Sequence, residues 1–220
     1  MNRQFRFTMV ELLVIIAVIC ILASLLLPAV AGSISRARQI ACCGNINQIG
    51  RCVTLYSSDN QGCIPNIQPG MEQSSIPILR LPNGTFVALG RLLNSYTADV
   101  RIFGCPGSPG YEGDKIAENL LRTPMLWSAY LYRSCSSGFA ERLADPANAD
   151  KALAADFACI TASGEQFAPH DYMYSTILYS DCHTEIRRNS RTPFELYTVQ
   201  AARHGELIPD CSSVWKNTDK

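Results

Sequence analysis

The chain lacks a net charge. Its 220 residues include 19 Lys and Arg and 19 Asp and Glu, and only 17% of the residues are charged. Because no field of one sign is present, the composition argues against nucleic acid as a partner. The low charge content is combined with 47% hydrophobic residues. This combination argues against disorder and predicts a packed domain.

Motifs of common enzymes and metal sites are also missing. None of the ten cysteines stands in Cys-x-x-Cys spacing, which argues against a zinc ribbon. Ser163 has no Gly-x-Ser-x-Gly context, and the scattered glycines form no phosphate loop. We therefore predict that the chain is not an enzyme and needs no cofactor.

Three side chains near the C-terminus offer metal ligands: His170, Asp181 and His183, with Cys182 between the last two. Their spacing matches no zinc signature, and an aspartate in a hairpin turn usually has a structural role. We therefore predict no metal site. A cysteine nucleophile beside His170 or His183 stays open, but it is unspecific because ten cysteines offer many such pairs.

What the chain does have is a long apolar run from Phe7 to Ala31, with no charged side chain between Leu12 and Ser35. A helix of about 20 apolar residues crosses the ~30 Å hydrocarbon core of a bilayer. It also satisfies its own backbone hydrogen bonds there. We predict a membrane-spanning helix. A secretory signal peptide is the alternative, because Ala29-Val30-Ala31 matches an A-x-A cleavage site, although its apolar core would be only about 7–15 residues long.

One acidic residue, Glu11, lies near the start of this run. A charge at the centre of a membrane helix costs roughly 3 kcal/mol, and less near an end, so an acid there is a functional candidate. A free amino group at Phe7, four residues earlier, would lie on the same helical face. That amino group exists only if the chain is cut before Phe7.

The sequence FTMVE followed by LLVIIAVICILASLLLP resembles the cleavage and methylation segment of type IV prepilins and type II secretion pseudopilins. The resemblance implies that a prepilin peptidase cuts between Arg6 and Phe7 and methylates the new amine. It also implies that Glu11 guides docking onto other subunits. Pro28 matches a family proline, and we expect a helix kink there because proline removes a helical hydrogen bond. Arg6 stands where the family usually has glycine.

A second resemblance covers Cys42–Gly50 and Tyr56–Pro65, and more weakly Phe103–Pro106. These segments are similar to a pilin-like family abundant in some environmental bacteria. The resemblance makes Cys42 and Cys105 a candidate disulfide between the long helix and a following loop. Ten cysteines fit an oxidising compartment, but connectivity does not follow from spacing.

Patterning beyond the apolar run predicts a helical continuation and then a sheet. The predicted helical stripe consists of Ile40, Cys43, Ile46, Ile49, Val53 and Tyr56. The predicted strands are a hairpin of Ile78–Leu81 and Phe86–Leu89, then Ser128–Tyr132, Ala152–Ile160, and a hairpin of Tyr174–Tyr179 and Thr184–Arg187. Short helices are predicted over Leu89–Tyr96 and from Pro193 to about Arg203.

Two features of these predicted elements, one in a turn and one in a strand, carry specific expectations. The last hairpin resembles a family motif with glycine where Cys182 stands, so we expect an altered turn or a disulfide at Cys182. Tyr130 and Tyr132 recur at a period of two, which predicts a half-buried sheet face. An exposed aromatic half would suit a carbohydrate site.

We predict an α+β, pilin-like fold with a long N-terminal helix packed on an antiparallel sheet. The predicted divisions are a cytoplasmic leader (1–6), a membrane helix (7–31), its amphipathic continuation (32–62) and a globular domain (63–220). The resemblance implies a structural subunit of a type IV pilus or type II secretion pseudopilus in a Gram-negative-type inner membrane. Its C-terminal domain would be periplasmic or on the fibre, and its partners would be the membrane, other subunits and the peptidase. The alternative is a membrane-anchored extracytoplasmic binding protein or hydrolase that never polymerises.

Overall fold

The computed structural model describes residues 8–66, 75–133, 141–156, 159–160, 166–167, 170 and 173–188. These residues form an α+β fold with one long N-terminal helix and a five-stranded antiparallel sheet, as predicted. The chain divides into two compact units, residues 1–37 and 38–220. Arg6, Phe7 and the helix predicted from Pro193 lie outside the described residues.

Helix α1 (Met9–Asp59) contributes to both units. In the first unit its apolar side chains are exposed, and this part of the helix is long and apolar enough to cross a membrane. Pro28 lies inside α1, with helical residues on both sides. The kink expected at Pro28 stays a prediction.

The second unit is built on a sheet with strand order β1-β2-β3-β6-β7, in which every neighbouring pair is antiparallel. The strands are β1 (Ser75–Arg80), β2 (Leu126–Arg133), β3 (Ala152–Asp156), β6 (Tyr174–Tyr179) and β7 (Thr184–Arg188). A separate two-stranded sheet pairs β4 (Cys159–Ile160) with β5 (Gln166–Phe167). Helix α2 (Gly113–Arg122) lies between β1 and β2 in the chain. The run Ala152–Ile160, predicted as one strand, is therefore divided between two sheets.

The second half of α1 packs on the core through side chains three and four residues apart, as an amphipathic helix does. Cys42, Ile46, Ile49 and Val53 are fully buried there. The predicted stripe is wrong at its first member, since Ile40 is 64% exposed. The buried face begins at Cys42 instead.

Strand β2, between β1 and β3, places alternate side chains in two different clusters, because successive residues of a strand point to opposite faces. Tyr130 and Tyr132 are in the cluster that contains α1, whereas Leu131 is in the other. Both tyrosines are 0% exposed. The predicted half-buried aromatic face is therefore wrong, and these two rings offer no carbohydrate surface.

The first predicted hairpin forms only at its turn. Gly84 adopts φ +84°, and Phe86 makes an isolated bridge to Arg80. The chain then forms a 3₁₀ helix over Ala88–Leu92 in place of the predicted strand and of the helix predicted at Leu89–Tyr96. A 3₁₀ helix aligns residues three apart, and this one buries both Leu89 and Leu92.

The second predicted hairpin is confirmed as β6 and β7. Cys182 in its turn has φ +65°, so the turn keeps the left-handed conformation that glycine favours. Cys182 is a free thiol, and neither an altered turn nor a disulfide is observed. Its Sγ atom lies 3.1 Å from Thr54 Oγ1 and 3.4 Å from the carbonyl oxygen of Gly50, both on α1.

Candidate functional site: an exposed apolar helix and a buried polar cluster

Glu11 takes part in the start of α1. Its Oε2 atom accepts hydrogen bonds from the backbone N–H and the hydroxyl of Thr8, both at 2.8 Å. The backbone N–H of Glu11 donates to Thr8 Oγ1 at 3.2 Å. This reciprocal arrangement is a capping box. The Thr-x-x-Glu spacing before an apolar run is the sequence motif of a capping box. From the sequence, only a docking role was predicted for Glu11.

The apolar side chains that follow Glu11 have no protein cover. Leu25 is 71% exposed and Leu27 is 68% exposed, and the apolar window of α1 is 0% buried. Soluble monomers rarely expose a continuous apolar surface of this kind. Lipid or other apolar helices are the surroundings that suit it.

A second feature lies inside the second unit, where four chemically reactive side chains converge. They come from four separate segments: Cys42 on α1, Cys105 in the loop after the 3₁₀ helix Val100–Phe103, Asp156 at the end of β3, and His170 ahead of β6. All four residues are buried, with exposures of 0%, 0%, 5% and 4%. We call this set the buried cluster.

The ligand atoms of the buried cluster all lie within 4.8 Å of one another. Cys42 Sγ is 3.7 Å from Asp156 Oδ2, and Cys105 Sγ is 3.4 Å from His170 Nε2. His170 Nε2 is 3.6 Å from Asp156 Oδ2. Two thiols, one carboxylate oxygen and one imidazole nitrogen therefore point toward a common centre, and together they form a donor set that can hold a metal.

Neighbouring groups fix the orientation of these ligand atoms. Asp156 Oδ1 accepts from Ser175 Oγ at 2.6 Å and from the backbone N–H of Thr176 at 2.8 Å. Its other oxygen, Oδ2, is therefore the one that faces Cys42 and His170. On the opposite side, the hydroxyl of Tyr130 lies 3.3 Å from Cys42 Sγ and donates to the carbonyl oxygen of Gly104 at 3.1 Å.

Burial and neighbouring groups shift the pKa values of the three acidic side chains, Cys42, Cys105 and Asp156. A hydrogen bond from Cys42 is the main cause that lowers the pKa of Cys105 to about 6, and His170 acts in the same direction. The same hydrogen bond, with burial, raises the pKa of Cys42 well above its usual value. Burial raises the pKa of Asp156 to about 7, and the charge of Cys105 adds to this effect. The three acids do not ionise together easily at neutral pH without a cation.

The buried cluster does not have the geometry of a nucleophilic site. In a catalytic triad the imidazole contacts the nucleophile and the acid through opposite nitrogens. Here the same Nε2 atom of His170 faces both Cys105 and Asp156. Cys105 is also 0% exposed, so a substrate does not reach its sulfur.

The other predicted site residues are placed as follows. Cys42 and Cys105 are brought together, but both are free thiols, and the disulfide between them stays a prediction. His170 belongs to the buried cluster, whereas His183 pairs with Asp181 and stacks on Tyr179 at 4.4 Å between ring centroids. Asp156 was not predicted as a site residue, because nothing in the local sequence pattern distinguishes it from any single polar residue in a strand.

Comparisons of the chain with protein-family models, curated proteins and solved structures gave no significant match.

Proposed function

We propose that the protein is a structural subunit, pilin-like or pseudopilin, which is held in a membrane and assembles with other subunits through the apolar part of α1. The observation that carries the proposal is the uncovered apolar surface of α1, which starts next to a single acid, Glu11. The resemblance of Phe7–Pro28 to prepilin processing segments supports it. The nature of the fold, a long helix joined to an antiparallel sheet, is compatible with this role.

The proposed mechanism follows from two properties of α1: its apolar surface and the single carboxylate of Glu11 near its start. Inside a bilayer, apolar helices exchange contacts with lipid for contacts with each other, so association depends on packing and on polar pairs. A carboxylate in this setting is costly until a positive group neutralises it. Glu11 would be neutralised by the methylated Phe7 amine of a neighbouring subunit, which sets the register of docking.

Analysis of the mature N-terminus tests this proposal. The full chain would be produced in cells with an active pilus or secretion machinery, extracted from membranes and examined by mass spectrometry. We expect a methylated N-terminal Phe7 and recovery of the protein in sheared fibres or high-mass assemblies. A protein that keeps residues 1–6 and stays monomeric under these conditions contradicts the proposal.

Arg6 favours a second candidate, a membrane-anchored extracytoplasmic binding protein or hydrolase that does not polymerise. A bulky residue in place of glycine hinders the approach of a peptidase to the backbone. This candidate predicts that the protein keeps its N-terminal Met1. The separate case of a cleaved secretory signal peptide predicts a protein that starts after Ala31. Arg6→Gly would remove this hindrance in either protein, so the N-terminus of the unaltered chain is what separates the cases.

A further inference from the structure

We propose that Cys42, Cys105, Asp156 and His170 bind one zinc ion in a closed, four-coordinate site. The site would join four segments of the second unit. This inference goes beyond the proposed function and does not depend on it, because all four residues lie within residues 38–220.

The spacing of the ligand atoms fits a tetrahedral ion. With metal–ligand distances of about 2.0–2.3 Å, the atoms of a tetrahedral zinc site lie about 3.3–3.8 Å from one another. Three of the separations in the buried cluster are 3.4, 3.6 and 3.7 Å. All the others are within 4.8 Å. The protein therefore already has near-correct spacing, and small side-chain movements complete the site.

The surrounding contacts resemble the supports that metal ligands require. A ligating carboxylate is usually held by hydrogen bonds to its other oxygen. Asp156 meets this condition through Ser175 and Thr176. The hydroxyl of Tyr130 lies 3.3 Å from Cys42 Sγ, so its one proton can turn from the carbonyl oxygen of Gly104 to a thiolate there.

The backbone of His170 gives an independent indication. Its φ of +54° lies in the left-handed region, which a few per cent of non-glycine residues adopt and which histidine adopts more often than most. The backbone N–H of His170 donates to the carbonyl oxygen of Gly107 at 2.9 Å and holds this conformation. Residues kept in such conformations cluster at functional sites, and here the conformation accompanies the placement of Nε2 next to Cys105.

Charge and donor type select the metal. Two thiolates and a carboxylate in a dry interior repel one another, and a divalent cation offsets that repulsion. Thiolate and imidazole ligands favour zinc over magnesium or calcium, which prefer oxygen. Because four protein ligands leave no open position, the role is structural rather than catalytic.

A disulfide between Cys42 and Cys105 is the competing state of the same sulfurs. A disulfide requires only the two cysteines, whereas the ion would use all four of the side chains that converge. Both sulfurs are free, and both face a carboxylate or an imidazole. The observed arrangement therefore favours the ion.

Metal analysis of the full chain tests the proposal. The protein would be purified in detergent without chelator, dialysed and analysed for metal by mass spectrometry. We expect one zinc per chain, and tetrahedral cobalt bands with thiolate charge transfer after exchange for Co²⁺. A zinc content below about 0.1 per chain after loading with Zn²⁺, or a Cys42–Cys105 disulfide in unreduced peptides, overturns the proposal.

Ligand variants identify the site. Asp156→Ala should lower the zinc content at least about tenfold. Asp156→Cys replaces the carboxylate with another zinc ligand and should retain the ion. Cys63→Ser is the matched control, since Cys63 is a free cysteine outside the buried cluster. Equal loss of zinc in Cys63→Ser and Asp156→Ala would show binding to dispersed thiols and overturn the assignment. Should Asp156→Ala not fold, the cobalt spectrum of the unmodified protein still decides.

Discussion

The Nε2 atom of His170 lies 3.4 Å from the sulfur of Cys105, although the two residues are 65 positions apart in the chain. The contact is buried, with both residues at or below 4% exposure. It joins the loop after the 3₁₀ helix Val100–Phe103 to the segment ahead of β6. A buried imidazole beside a thiol can form a hydrogen bond or share a metal ion, and the burial keeps a substrate from the sulfur.

Gly107 is where this contact is most sensitive to substitution. A Cβ atom at Gly107 would overlap the imidazole ring of His170. We expect Gly107→Ala to lower the free energy of unfolding by about 1–3 kcal/mol, as overpacking does, and to reduce the zinc content. Thermal or denaturant unfolding in detergent, with metal analysis, measures both. Unchanged values would show that the ring moves away freely.

Gly44→Ala is the control for Gly107→Ala. Gly44 lies in α1, and a Cβ there meets nothing within 4 Å. Alanine in place of an exposed helical glycine should raise the free energy of unfolding by about 1 kcal/mol. The two glycine substitutions are thus expected to have opposite signs in the same assay.

Tyr130→Phe tests the support behind Cys42. The hydroxyl donates to the carbonyl oxygen of Gly104, which also accepts from Asn45 Nδ2 at 2.9 Å. Since that carbonyl keeps a partner, we expect a loss of only about 1 kcal/mol in unfolding free energy. The zinc affinity should fall about tenfold, as for other residues behind a metal ligand. Competition with a chromogenic chelator measures the zinc affinity. An unchanged affinity would show that the Tyr130 hydroxyl does not support Cys42 as a ligand.

The left-handed conformation of Cys182 predicts which of two variants at this position is the more stable. Cys182→Ala keeps the left-handed backbone strain and loses the sulfur contacts with Thr54 and Gly50. Cys182→Gly loses the same contacts but relieves the strain. The glycine variant should therefore be more stable than the alanine variant by about 1 kcal/mol. Denaturant unfolding of both gives the difference, and the reverse order would show that the side chain rather than the backbone decides.

The capping role of Glu11 can be separated from the docking role that we propose for it. Glutamine also completes a capping box, so Glu11→Gln should start α1 normally while removing the charge. We expect this variant to insert in the membrane but not to enter fibres, with Glu11→Ala behaving alike. The ratio of sheared fibre to membrane-bound protein measures it. Normal incorporation of Glu11→Gln would leave Glu11 as a capping residue only.

Thr8→Ala is the converse of Glu11→Gln. It removes the hydroxyl that bonds to Glu11 but keeps the carboxylate. Loss of the cap should destabilise the first turn of α1 by about 1 kcal/mol, while assembly continues. If Thr8→Ala blocks assembly as strongly as Glu11→Gln, helix start rather than charge controls docking.

Several expectations failed where local pattern and tertiary packing disagree. Ile40 fits a helical stripe in the sequence, yet it is exposed, because the sheet meets α1 from Cys42 onward. Phe86–Leu89 follows an Asn-Gly turn like the second strand of a hairpin, yet the chain forms a 3₁₀ helix there that buries Leu89 and Leu92. Tyr130 and Tyr132 lie on a strand covered on both faces, so alternation did not indicate an exposed side.

The order of residues along the chain was enough to predict the apolar helix, the α+β class and the last hairpin, because each depends on periodicity or turn chemistry within a short segment. The buried cluster, in contrast, could be recognised only from the tertiary structure. Its four ligands come from segments far apart in sequence, and none has the short spacing of a known metal motif. Only the packing of α1, β3 and two loops against one another brings two sulfurs, a carboxylate oxygen and a nitrogen to one point.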